Sequence, residues 1–541
     1  MSRESEFSTS NADYYINAVK EFADNVLKYG KDTYGPKQTP LFVDGLNIDT
    51  HEPAKWKSTD GTEWVISNIG NQQVLFRTLD GLTTLTGDSR YRNSAEEAIQ
   101  YAFGQLNWGG LLPWGGHMTY NATADEVTYA EDKAKVQELK CHYPYYELMW
   151  EVDPEATKAL IENTWNSHVL NWSNLDFNRH GAPKDMGTLW DSEYESGEVF
   201  FWGKGLTFIN SGSDLYYAAA VLSRLSGDKK PLVWAKRLAH RYVETRNPET
   251  GIGGYQFSQT NAWCNGPEIT GDRAQYQFGD DFPGHLVVEG TLFMPYRRPH
   301  TRPQICQMVA GDMLGEDGAE LSQWAVEELT AWGRSAYRTE DHSFIPMLTD
   351  GTVMEGYVCK KDGYFGPKDR VVEAAKASPM EFWAYVMAFR ISDDQFMWDM
   401  ARNIAQGNGL GDIGATANDS PKLNTRTDSS NSSALFGFLE LFRKTGDEVY
   451  LSMAKGIGDN ILKYRFHKGF FTRSERHLFA KFDRYEPLAL LHLAAAMEGR
   501  PGDMPAYSGG EGFYAAAYGS EGHKYDNNFI YTRVREPGSQ E

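Results

Sequence analysis

Cysteine is scarce in this chain of 541 residues: Cys141, Cys264, Cys306 and Cys359 are widely dispersed and form no CxxC pair. That pattern argues for reduced structural thiols rather than a disulfide framework or a cysteine-rich metal site. No stretch approaches eighteen consecutive apolar residues, so no membrane-spanning helix is expected. Positive charge is in deficit, with 53 Lys and Arg against 74 Asp and Glu and a formal net charge of −21. Nucleic acid and anionic membrane surfaces need clustered basic residues, so neither is an expected partner. The same deficit opposes capture of a long polyanion, unless a local basic patch outweighs the screened bulk field. The opening MSRESEFSTSNADYY lacks a basic region followed by an apolar one. A cytoplasmic location is therefore expected, with the periplasm as the alternative if a leader has been removed.

What is present is ordinary globular material. Apolar residues make up 41% and charged residues 23%, which a soluble protein with a large core would carry. Aromatic content is high at 13%, with 15 Trp and 30 Tyr. Such rings fill cores and interfaces, and they can also line a carbohydrate groove.

The chain reads as helix after helix. Apolar residues at Tyr15, Ala18, Val19, Phe22, Val26 and Leu27 predict a helix over 12–29. Two more are predicted over 72–86 and 94–106, separated by Thr86-Gly87-Asp88, where glycine suits a helix C-terminus and aspartate the next cap. This punctuation recurs at Ser226-Gly227-Asp228, Ser392-Asp393-Asp394, Thr445-Gly446-Asp447 and Gly499 to Asp503. The later copies repeat at about 55 residues, the length of one helical hairpin with its loops. The expected architecture is all-α: one domain over 1–541 in which seven helical hairpins form an α/α toroid. Two Gly- and Pro-rich stretches, near 265–305 and 343–371, are expected to be loops or β-arms over the central cleft. Val287 and Val288 look strand-like there, and the tail from Pro505 should wrap the surface.

The segments NWGGLLPWGGH (107–117) and NRHGAPKD (178–185), with Glu138 between them, resemble polysaccharide lyase family 2, the metal-dependent pectate lyases. The intervals separating His117, Glu138 and His180 match that family. The resemblance implies that these three residues bind a divalent metal and that Arg179 is the Brønsted base. Two imidazoles and a carboxylate suit a mid-row ion, Mn²⁺ foremost, with Co²⁺ or Ni²⁺ as alternatives. The implied reaction is β-elimination on α-1,4-linked polygalacturonate or oligogalacturonides. The proton on C5 of a uronate is only weakly acidic, and a cation on the carboxylate stabilises the anion left when it departs. Breakage of the C4–O4 bond then gives a 4,5-unsaturated product. An arginine base is unusual, its reference pKa lying above about 12, but a nearby cation and desolvation both disfavour its charged form.

The residues also admit plainer readings. His180 could simply satisfy backbone carbonyls in a loop, and Glu138 lies in EDKAKVQELK, which alone reads as a solvated helix. His142 and Glu147 offer a competing ligand pair. Substrate carboxylates call for cations, for which Arg273 and Arg298 are the candidates, together with Arg297, Lys184 and Lys204. Trp114, with Trp202, could offer a face to a sugar ring. The main alternative is a glycoside hydrolase on the same toroid, with paired carboxylates drawn from Asp185, Asp191, Glu193 and Asp214. A uronate-binding protein and a sugar epimerase are further alternatives. Short imported oligogalacturonides and exolytic release of a disaccharide suit the acidic surface better than attack on long pectin. Nothing in the sequence sets an oligomeric state.

Overall fold

The computed structural model describes residues 12–57, 62–115, 118–129, 135–265, 268–282, 287–294, 300–507, 509–510 and 530–536. Helix α1 spans Ala12–Tyr29, as its apolar spacing predicts, and buries Tyr15, Val19, Phe22 and Val26. Helix α2 spans Gln73–Thr86 and ends at Gly87, whose φ of 73° needs a residue without a Cβ. Asp88 then accepts the backbone N–H of Arg90 and starts α3, Ser89–Gln105. This helix begins at Ser89 rather than Ser94 because its cap recruits a polar first turn that apolar spacing does not mark.

The remaining helices are α4 (Tyr146–Val152), α5 (Pro154–His168), α6 (Ile209–Ser226), α7 (Lys230–Glu244), α8 (Arg273–Phe278), α9 (Thr301–Leu314), α10 (Ala319–Ser335), α11 (Pro379–Ser392), α12 (Gln395–Gly407), α13 (Ser432–Thr445), α14 (Glu448–Arg465) and α15 (Tyr485–Met497). The turn chemistry of α2–α3 returns between α6 and α7, α11 and α12, and α13 and α14. There Gly227, Asp393 and Gly446 adopt φ of 76°, 54° and 70°, and Asp394 and Asp447 cap the helices that follow. The copy at Gly499 to Asp503 leads only into a 3₁₀ turn, Pro501–Asp503.

Two classes of helix result. Helices α6, α11 and α15 are buried on nearly every face, whereas α1, α7 and α12 bury one stripe and turn the other to solvent. Each of Leu488, Leu490, Leu491 and Leu493 on α15 is fully buried and contributes about 1.5–3 kcal/mol. Along the chain α2 packs on α3, α4 on α5, α6 on α7 and α9, α9 on α10 and α11, α11 on α12 and α13, and α13 on α14 and α15. Helix α15 returns to α1 and α2, and one apolar cluster runs from Ala12 to Tyr507.

Strands are short and serve the loops. The two Gly- and Pro-rich stretches pair with each other, Leu292–Phe293 lying antiparallel to Met347–Leu348. They share a small core of their own containing Ala274, Phe278, Leu292, Leu348, Met354 and Val372. Val287 and Val288 are buried outside any strand. Asp281 holds Lys360 and Tyr357, and the Gln277 amide donates to the Gly366 carbonyl at 2.8 Å, so the two arms are locked together. Cys141, Cys306 and Cys359 are buried free thiols. At the start of the tail, Tyr507 stacks on Trp383 with centroids 5.7 Å apart.

Candidate active site

Two short strands carry the centre of the site. Gln137–Glu138 lies antiparallel to His180–Gly181, and the register sets Glu138 directly opposite His180. The amide of Leu139 donates to the Arg179 carbonyl at 3.0 Å and continues the ladder. Directly opposed side chains on one face are near neighbours. Accordingly His180 Nε2 lies 3.6 Å and Arg179 Nε 3.4 Å from the same oxygen, Oε1 of Glu138. Glu138 is fully buried (0% exposed), Arg179 is 12% exposed and His180 26%. The plainer reading of 131–140 as a solvated helix does not hold for its described part: residues 135–140 are not helical, Gln137–Glu138 is a strand, and Gln137, Glu138 and Leu139 are buried. A local charge pattern read as solvated here forms a ladder with a strand some forty positions away.

A buried shell fixes these strands. His168, at the end of α5, sets Nδ1 2.8 Å from the Asn178 carbonyl and Nε2 3.2 Å from Gln137 Oε1. Its ring lies where a Cβ on Gly181 would stand, only 2.6 Å away. Burial pushes the His168 imidazole down to about 3 and that of His142 down to about 4, so both are neutral near pH 7. The Asn178 side chain accepts the His180 amide at 2.9 Å. On the other flank Gly115, at φ 92°, packs on the backbone of Glu138, with an added Cβ 2.4 Å from its carbonyl oxygen. The Asn68 amide donates to the Gly115 carbonyl at 3.0 Å.

Arg179 opens onto a cleft of about 540 Å³ lined by Lys140, Asn210, Tyr255, Arg273, Glu289, Leu292, Met294, His300, Tyr364 and Phe365. Its guanidinium stands 5.7 Å above the Phe208 ring. Phe208 stacks on Tyr255 at 4.9 Å, and Tyr255 on His300 at 4.1 Å, so aromatic faces run back from the arginine. Arg273, from the first residue of α8, crosses the Tyr364 ring at 3.5 Å and pairs with Glu289 at 2.6 Å. Burial opposes its charge, yet Glu289 holds its pKa above the ordinary value.

The structure thus brings together Glu138, Arg179 and His180, with Arg273 lining the same cleft as Arg179. His117, Arg297 and Arg298 lie outside the described residues. Among the described residues no third His, Cys, Asp or Glu joins Glu138 and His180. Trp114 is corrected: it is fully buried (0%) against Gly70 and presents no face to a sugar, whereas Trp202 is 53% exposed. Lys184 turns its ammonium to the Val169 carbonyl, and neither it nor Lys204 lines the cleft. His142 and Glu147 form no ligand pair, since His142 bonds the Glu138 carbonyl and Glu147 pairs with Arg224. Nor do the hydrolase carboxylates converge: Asp185 and Glu193 are exposed, Asp191 pairs with Lys230, and Asp214 is buried beneath His142. Lys140, Asn210, Tyr255, His300 and Tyr364 escaped the sequence reading. Only Lys140 left a signal, two residues beyond Glu138 and so on the same face of an extended segment.

Residues 39–517 match the family model described as periplasmic pectate lyase. The chain is 32% identical over 546 residues to the pectate disaccharide-lyase of Dickeya dadantii (strain 3937), covering 96% of each protein. Among solved structures, D-mannose isomerase overlays with a TM-score of 0.42 at 12% identity, covering 85% of this chain and all of that one. Cellobiose 2-epimerase from Bacillus thermoamylovorans B4167 gives 0.42 at 11% identity, over 90% and 100% of the two chains. Both overlays are too loose to carry an argument about function. Among the described residues no helix is long and apolar enough to cross a membrane. With a family model spanning most of its length and a relative aligned almost end to end, the chain belongs to the periplasmic pectate lyase family and is a polysaccharide lyase.

Proposed function

We propose that this enzyme cleaves α-1,4-linked polygalacturonate or its oligomers by metal-assisted β-elimination, releasing a 4,5-unsaturated disaccharide from one chain end. The observation that carries the reading is the convergence of Arg179 and His180 on one oxygen of buried Glu138, at a cleft with Lys140 and Arg273 in its walls. Disaccharide release is supported by the name of the Dickeya dadantii relative. The family description as periplasmic fits the second of the two locations expected from the sequence.

Glu138 and His180 supply one carboxylate oxygen and one imidazole nitrogen on facing strands, a donor set that fits a mid-row divalent ion such as Mn²⁺. With His117 they would hold it, and the chemistry such an ion supplies is withdrawal of charge from the uronate carboxylate. The rest falls to the chain. Lys140 and Arg273 bind and orient flanking carboxylates, as cations aimed into a partly enclosed cleft do best. Arg179, as the neutral guanidine, takes the C5 proton and becomes guanidinium, its side chain positioned by Glu138 and the face of Phe208. The electrons of the broken C5–H bond form the 4,5 double bond, and the C4–O4 pair leaves on the glycosidic oxygen, which takes a proton from solvent and departs as the hydroxyl of the new reducing end.

The finer architecture belongs to the same proposal. Pairing α2 with α3, α4 with α5, α6 with α7, α9 with α10, α11 with α12, α13 with α14 and α15 with α1 yields seven hairpins. Their successive contacts, and the return of α15 to α2, support closure into an α/α toroid of one domain, with the two locked arms over its cleft. The test of the cleavage mode is a time course of products from polygalacturonate separated by size. An unsaturated disaccharide accumulating from the first turnovers, while long chains shorten slowly, is the expected result. An early spread of intermediate oligomers contradicts the exolytic reading.

A further inference from the structure

The segment that follows Glu138 is bent in a way its own residues do not favour. Cys141 and Tyr143 adopt φ of 56° and 44°, the left-handed region that residues with a Cβ rarely enter. Two such residues with one between them persist only where the surroundings over-determine the backbone. Here the surroundings are the first turns of α6. Ser211 donates its hydroxyl to the Leu139 carbonyl at 2.7 Å, and the Cys141 amide donates to the Asn210 carbonyl at 2.8 Å. One turn deeper, Asp214 Oδ1 accepts the backbone N–H groups of His142 at 2.7 Å and of Tyr143 at 2.9 Å. Asp214 is buried, and two amides converging on a single carboxylate oxygen form a small anion-binding nest.

The bend matters for what lies either side of it. His142 Nε2 sits 3.1 Å from the carbonyl oxygen of Glu138, so the turn folds back onto the residue that starts it. Lys140 projects into the cleft beside Asn210, whose own carbonyl anchors Cys141. Glu138 and Lys140 alternate with Leu139 along this extended run and so share one face. We propose that Asp214, with no contact to substrate, is a positioning residue: by holding the left-handed turn 141–143 it sets Glu138 and Lys140 in the cleft. The hydrolase alternative would have used this carboxylate as acid or base; its burial beneath His142 assigns it to the backbone instead. The inference rests on the proposed roles of Glu138 as a metal ligand and Lys140 as a carboxylate-binding cation.

The test is Mn²⁺ binding by calorimetry, together with KM and kcat on trigalacturonate and thermal melting, for the wild-type chain and Asp214 variants. Asp214→Ala is expected to weaken Mn²⁺ binding by about tenfold or more, the usual consequence of removing an outer-shell support, and to raise KM. Asp214→Asn retains an acceptor oxygen and is expected to stay within about threefold of wild type. Cys141→Gly in the Asp214→Ala background is expected to recover much of the lost affinity, because glycine enters the left-handed region without strain. Asp214→Glu, which shifts the acceptor by one methylene, serves if the alanine variant does not fold, and weaker Mn²⁺ binding is again expected. A folded Asp214→Ala or Asp214→Glu protein with unchanged Mn²⁺ affinity and KM overturns the role of Asp214. Wild-type protein that binds no Mn²⁺ overturns the site reading beneath it, and the two failures are thereby distinct.

Discussion

Arg179 and Glu138 are the side chains on which the proposed chemistry turns, and their contact separates two kinds of substitution. Replacing Arg179 by Ala removes the proposed base while leaving the Glu138–His180 pair across the ladder. Loss of about 10²–10⁴-fold in kcat is expected, the range of a positioned proton-transfer group, with Mn²⁺ affinity by calorimetry nearly unchanged. Undiminished turnover in Arg179→Ala or Arg179→Lys would remove the residue from the mechanism. Gly115→Ala acts differently, since its Cβ would meet the Glu138 carbonyl oxygen at 2.4 Å in a backbone at φ 92°. The expected loss is about 1–3 kcal/mol of stability from strain alone, visible as a lower melting temperature together with weaker Mn²⁺ binding. A Gly115→Ala protein with wild-type melting and affinity would show that this backbone can yield without cost to the site.

At the scale of elements, the first arm carries a prediction because its internal ion pair is buried. Glu289 has only 3% of its side chain exposed and is paired with Arg273. Arg273→Ala would leave that carboxylate without its cation, a change that costs about 3–5 kcal/mol for a buried pair. Limited proteolysis is expected to cut the arms of this variant well before the helices. Arms as resistant as in wild type would show that this internal pair is not needed to hold the first arm in place. Trp202, on the strand Phe201–Trp202 and exposed, carries a second prediction. If its indole meets long substrates, Trp202→Ala should raise KM for polygalacturonate by up to about tenfold and leave kcat in place; equal KM values exclude that contact. Which elements were legible follows from range. Helix α1 and the Gly-Asp turns were readable because spacing and capping are local. The ladder that buries Glu138 was not, because register with His180 is a property of two distant segments. Trp114 failed as a sugar platform because an aromatic residue carries no local mark distinguishing core from groove. Lys140 was hidden by the same charged run that disguised Glu138.

At the scale of the whole molecule, a net charge of −21 faces a polyanionic substrate. Long chains feel the protein's field beyond the cleft, where the Debye length shrinks from about 30 Å at 0.01 M salt to about 8 Å at 0.15 M. Added monovalent salt should therefore raise kcat/KM for polygalacturonate over that range, while trigalacturonate, confined near Lys140, Arg179 and Arg273, should change little or decline. An opposite ordering would mean that a basic surface outside the cleft dominates capture. The central claim remains that this family member performs elimination with a metal held by Glu138 and His180. It is tested most directly by ultraviolet absorbance during incubation with polygalacturonate, with and without chelator, followed by addition of Mn²⁺. The account predicts a rise from the 4,5-unsaturated product that chelator abolishes and Mn²⁺ restores. A rise indifferent to chelator, or new reducing ends with a flat trace, would contradict it.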